Sequence, residues 1–81
     1  MTGSDVREAR AKLRLTQTQM GEMLGYQGQH VRQMVYDLET GRRELMPCQR
    51  RLVEAYLSGY RPKDWPIDNK GNARIVATPK T

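Results

Sequence analysis

Eighty-one residues with 14 Lys and Arg against 9 Asp and Glu, a formal net charge of +5, make one small domain without room for a deep cleft between two lobes. The single Cys48 closes no intrachain disulfide, and with the lone His30 it supplies too few ligands for a structural zinc site, so a reduced, intracellular protein without metal or other cofactor is expected. No run approaches the roughly 20 apolar residues that span a bilayer, and Met1 to Asp5 lack the basic and apolar regions of a signal peptide, which points to the cytoplasm rather than to a membrane or export.

Val6, Ala9 and Leu13 recur at i, i+3 and i+7 and predict a first helix from about Asp5 to Leu13, N-capped by Ser4, with Arg7, Glu8, Arg10 and Lys12 turned elsewhere. After Arg14-Leu15, Thr16 stands three residues before Gln19, the spacing of a capping box, and predicts a short second helix from Gln17 to about Leu24. Gly25 ends it by taking the left-handed conformation. Val31, Met34, Val35 and Leu38 then mark a third helix from about Gln29 to Glu39, closed by Thr40-Gly41. Arg42 to Met46 read as a loop, and Pro47 suits the first turn of a fourth helix that carries Leu52, Val53, Tyr56 and Leu57 inward and ends at Gly59. From Tyr60 onward the texture changes, and a division into a helical domain over 1–60 and an extension over 61–81 follows. Pro62, Pro66 and Pro79 forbid a further helix, and Asp68 to Asn72 is turn chemistry flanked by Trp65 and Ile67 on one side and Ile75 and Val76 on the other. That pattern reads as a small hairpin, which would need something to pack on.

The second and third helices carry the functional signal. Counted from Gln17, Gly21 is fifth and Gly25 ninth, while Met20, Leu24, Tyr26, Val31 and Met34 stand fourth, eighth, tenth, fifteenth and eighteenth. Two helices joined by a tight turn and crossing steeply approach closely at a small residue such as Gly21, with the apolar set fixing the pair to the core. This spacing resembles the helix-turn-helix of the Cro and lambda-repressor type, also called the Xre family. Leu15-Thr16-Gln17, Leu24-Gly25-Tyr26 and Glu39-Thr40-Gly41-Arg42-Arg43 carry the likeness, which covers roughly residues 4–60. In length and in the ending from Tyr56 to Pro66 the chain is also similar to small phage-borne regulators of this family, among them anti-CRISPR-associated repressors. One departure is the insertion of Val35 to Leu38 ahead of the Glu-x-Gly-Arg-Arg run, which adds about one turn, or about 6 Å, to the third helix.

Charge and side-chain chemistry agree with a polyanionic partner. Residues 41–51 hold Arg42, Arg43, Arg50 and Arg51 against Glu44, a local +3. The third helix presents Gln29, His30, Arg32, Gln33, Tyr36 and Asp37 away from its apolar stripe, and guanidinium and amide groups can hydrogen-bond guanine and adenine edges in a major groove, although a plain solvated face has the same look. The resemblance carries base-reading positions onto Gln27, Gly28, Gln29, Arg32, Gln33 and Tyr36, with His30 beside them on the same surface. Gly28 offers no side chain and serves either backbone approach to DNA or a helix cap. Asp37 is expected to be structural. The resemblance also implies phosphate contacts from Thr16 and Gln17 at the start of the second helix and from Arg42 and Arg43, which alternatively pair with Glu39 or Glu44. His30 is the only side chain whose ordinary pKa lies near neutrality, yet it has no catalytic company, and Cys48 reads as a passive thiol.

Tyr56, Leu57, Tyr60 and Trp65 exceed what a small core requires. Either a second subunit covers them across a symmetric interface or the extension packs on its own fourth helix. The combined expectation is an all-helical, four- to five-helix lambda-repressor-like domain, a homodimeric transcriptional repressor of double-stranded DNA with an inverted-repeat operator, autoregulatory in a phage-type circuit and independent of any small ligand. The nucleoid of a bacterial cell would be its place. The alternative keeps the fold and makes the chain an antitoxin or inhibitor that docks on another protein; no nucleophile, acid pair or metal-ligand set suggests an enzyme.

Overall fold

The computed structural model describes residues 1–68, and within them the chain forms four α-helices: α1 (Gly3–Leu13), α2 (Gln17–Met23), α3 (Val31–Glu39) and α4 (Pro47–Leu57). The fold over these residues is all-α. The expected hairpin turn after Asp68 and the second arm, with Ile75 and Val76, lie outside the described residues.

α1 begins two residues earlier than its apolar repeat indicates, and its N-cap is Thr2, not Ser4. The Thr2 hydroxyl accepts from the Asp5 backbone N–H at 3.2 Å and the Asp5 carboxylate accepts from the Thr2 N–H at 2.9 Å, a reciprocal arrangement. Ser4 is followed three residues on by Arg7, which has no acceptor to return, so the box forms around Thr2 instead. Gly3, inside this first turn, lies against the carbonyl oxygens of Leu38 and Glu39, where a methyl group would not fit. The start of α1 is thereby seated on the last turn of α3.

α2 is capped as its sequence indicates. The Gln19 N–H donates to Thr16 Oγ1 at 3.1 Å and the Thr16 N–H to Gln19 Oε1 at 2.9 Å. Gly25 follows at φ +94°, the left-handed turn that ends the helix. α3 starts two residues later than expected: Gly28 at φ +100° and a turn at Gln29-His30 delay it, and His30 caps it without a side-chain hydrogen bond.

α4 opens on Pro47 and buries Gln49, Val53 and Tyr56, at i, i+4 and i+7. Leu57, expected inside, is 44% exposed, because one residue on from Tyr56 it lies about 100° round the helix from that stripe. The core gathers Val6, Ala9 and Leu13 of α1, Met20 and Met23 of α2, Val35 and Leu38 of α3, and Val53 and Tyr56 of α4. Trp65 and Ile67, from the extension, are buried in the same core. Trp65 packs on Tyr56 with ring centroids 5.0 Å apart and has the Arg61 guanidinium 4.4 Å above its own ring. Arg61 in turn donates to the carbonyl oxygens of Tyr56 at 2.7 Å and Tyr60 at 2.8 Å, which ties the first residues after α4 back onto it.

Candidate nucleic-acid interface

α2 and α3 meet where the sequence lacks a side chain. A Cβ built on Gly21 would collide with the Val31 side chain and stand 3.0 Å from Val35 Cγ2, so the close approach of the two helices depends on glycine at this position. Met20, Leu24 and Val31 are buried around the contact, and Tyr26 and Met34 are half-buried. The bend is held by the Tyr26 N–H donating to the Gly21 carbonyl at 3.0 Å and the Gly25 N–H to that of Glu22 at 3.1 Å.

With its apolar side used in this contact, α3 leaves Arg32, Gln33 and Tyr36 exposed, and the preceding turn leaves Gln27, Gly28, Gln29 and His30 exposed. Gln17, at the start of α2, joins Gln29, His30, Arg32, Gln33 and Tyr36 around one shallow surface concavity. The expected base-reading residues other than Gln27 and Gly28 therefore share a surface with an expected phosphate contact. Tyr36 is 47% exposed and supplies the apolar part of the face.

These side chains are not independently placed. Arg32 Nε donates to Gln17 Oε1 at 3.4 Å, and Gln17 Nε2 donates to Glu39 Oε1 at 3.5 Å. Glu39, whose side chain is 7% exposed, is clamped by Arg10: Nε to Oε2 at 2.7 Å and the second guanidinium branch to Oε1 at 3.3 Å. Arg10 also donates to the Leu15 carbonyl at 3.2 Å, just ahead of α2. One buried carboxylate thus sets α1, the entry to α2, and α3 in register. It does so from beneath the exposed face. Gln33 Nε2 donates to Asp37 Oδ1 at 3.0 Å, so Asp37 braces a face residue within α3.

Arg42 and Arg43 follow α3 and are exposed. Their backbone N–H groups both donate to the Asp37 carbonyl, at 2.9 and 3.1 Å, which folds the loop onto the end of the helix. Neither pairs with Glu39 or Glu44 among the described residues; Glu39 is taken by Arg10, and the Arg43 guanidinium lies over the Tyr26 ring, 5.9 Å from its centroid. Thr16 uses its side-chain oxygen as the α2 cap, which leaves only its hydroxyl proton for a phosphate.

The four aromatic and aliphatic residues expected at a subunit interface divide. Tyr56 and Trp65 are 3% and 4% exposed and belong to the core of their own chain, so they present no surface to a partner. Their burial is explained by the extension closing over α4. Leu57 and Tyr60, at 44% and 55%, remain on the surface.

Two structural features escaped the sequence reading. Gln49 is 5% exposed, and its amide accepts from the Met46 N–H at 3.0 Å and donates to the Leu24 carbonyl at 3.3 Å. Its place at the third position of a helix was the available signal, since Gln there commonly reaches back to the cap. The Arg10–Glu39 pair spans 29 residues and has no local signature.

Among the described residues no group of three His, Cys, Asp or Glu side chains could hold a metal ion, and no helix is long and apolar enough to cross a membrane. No profile of a known protein family matches the chain, and no curated protein or solved structure is significantly similar to it.

Proposed function

We propose that the chain is a sequence-specific double-stranded DNA-binding protein of the Cro and lambda-repressor type, acting as a homodimeric transcriptional repressor. The observation that carries this reading is the pairing of α2 and α3 at Gly21 with an exposed, acid-poor face of Gln29, Arg32, Gln33 and Tyr36 on the side away from that contact. In the proposed complex α3 lies in the major groove. Arg32 donates to guanine, Gln29 and Gln33 to adenine, and Tyr36 packs on a thymine methyl or the sugar edge. Gln17, Arg42 and Arg43 take phosphates on either side and set the depth and angle of entry.

A single module of this size makes few phosphate contacts, and two copies related by a two-fold axis would place their third helices in successive grooves, about 34 Å apart on one side of an inverted repeat. Repression follows from occupancy of a promoter. The exposed Leu57 and Tyr60 are the surface offered to the second copy.

The test separates base reading from backbone contact. Arg32→Ala is expected to lose about 1–3 kcal/mol on a selected duplex while leaving binding to random duplex nearly unchanged, whereas Arg43→Ala weakens both. Equal losses on both duplexes for Arg32→Ala, read in a gel-shift titration, would contradict its role.

A further inference from the structure

We propose that Tyr26 is a positioning residue, fixed by the buried Gln49, that holds the Arg43 guanidinium in place for a DNA phosphate. The assignment rests on the DNA-binding reading above and adds to it a residue of the turn that touches no DNA in that scheme.

The geometry is a chain of contacts running outward from the core. Gln49 is anchored at two points, by the Leu24 carbonyl at the end of α2 and by the Met46 N–H at the start of α4. The Tyr26 hydroxyl donates to Gln49 Oε1 at 3.3 Å, which restrains the ring from its far end. The Arg43 guanidinium lies over that ring at 5.9 Å from the centroid, within the range at which a ring quadrupole attracts a cation. The backbone of Arg43 is restrained separately, through its N–H on the Asp37 carbonyl at 3.1 Å. Arg43 is thus held at its backbone by α3 and at its side chain by the turn that precedes α3.

Arg43 is exposed, Arg42 beside it shares the Asp37 carbonyl and has no cation–ring contact among the described residues, and no carboxylate among them forms an ion pair with Arg43. A ring contact leaves the guanidinium donors directed to solvent while limiting the rotamers of a long side chain. A side chain already ordered loses less freedom when a phosphate arrives, so the contact raises affinity without contributing charge. Arg suits this role better than Lys, since its guanidinium keeps its charge and presents a planar donor fork to a phosphate.

The test is a double-mutant cycle on the intact chain, read by fluorescence anisotropy with a labelled random-sequence duplex of about 30 base pairs at about 50 mM KCl, where phosphate contacts dominate. Tyr26→Leu is expected to weaken binding about two- to fivefold in the wild-type background and to have no further effect once Arg43 is Ala. In the Arg42→Ala background the Tyr26→Leu loss should persist in full. Tyr26→Phe keeps the ring, frees it from Gln49, and should show a smaller loss that Arg43→Ala likewise removes. It carries the test should Tyr26→Leu fail to fold. Independently of DNA, the Arg43 side-chain protons should show ring-current shifts that Tyr26→Leu abolishes. A Tyr26 effect that survives Arg43→Ala, or no effect at all, overturns the assignment while DNA binding stands. A wild-type chain that does not bind the duplex overturns the DNA-binding reading and this assignment with it.

Discussion

Glu39 is a single buried carboxylate that ties the core to the exposed face proposed to read DNA. It receives two donors from Arg10 and one from Gln17, and Gln17 in turn receives Arg32. Removing it leaves the Arg10 guanidinium partly buried without its partner. Glu39→Ala is expected to cost about 2–3 kcal/mol of stability, measured by urea unfolding, as for a charged hydrogen bond lost from a partly buried site. It should also relax discrimination between duplexes more than Arg10→Ala does, because Gln17 and Arg32 lose their alignment; equal discrimination in the two variants would confine Glu39 to a structural role. None of this was visible along the chain, since Arg10 and Glu39 are distant in sequence and each reads as a surface charge on its own helix.

At the scale of elements, the contact of α2 with α3 sets the direction in which the exposed face points. Gly21→Ala must displace Val31 or spread the helices, and the expected cost is about 1–3 kcal/mol by thermal unfolding, with DNA binding impaired beyond the loss of folded protein. A variant of unchanged stability would contradict the steric account. Local rules explain much of what the sequence foretold. Thr16 and Gln19 spell a reciprocal cap that forms as written, Gly25 takes the left-handed turn, and Pro47 opens α4. The misses have local reasons too. Ser4 sits nearer the apolar repeat than Thr2, but only Thr2 has an acid three residues later. Periodicity alone could not rank Leu57 against Gln49, since a hydrophobic residue at the edge of a stripe looks inward on a helical count, and an amide looks polar until its partners are known. The Thr2–Asp5 cap also has a pH signature. Hydrogen bonds from the Thr2 backbone and hydroxyl hold the Asp5 carboxyl below its ordinary 3.8, so the stability it contributes is present above that pH and is lost as pH falls through the depressed value.

Across the described residues, α4 and the residues after it close the core and leave Leu57 and Tyr60 exposed. Burial pushes the Tyr56 hydroxyl above its ordinary 10.0, with the Asp64 charge adding to the effect, and the neutral hydroxyl donates to the Met23 carbonyl at 2.7 Å. Its folded-state pKa is raised, so its contribution is complete below pH 10.0 and is lost as pH rises through the higher folded value. Stability should therefore fall at alkaline pH, and Tyr56→Phe should flatten that fall in melts recorded across the range. The proposed dimer would use the exposed Leu57 and Tyr60, so the wild-type chain is expected to sediment as a dimer and a Leu57→Glu, Tyr60→Glu double variant as a monomer at the same concentration. The most direct trial of the central claim, that α3 reads base edges, is selection of bound duplexes from a random pool with the purified chain. Enrichment of an inverted repeat with half-site centres about 34 Å apart is the predicted result, and a pool that stays flat while the folded protein is bound to it would contradict the account.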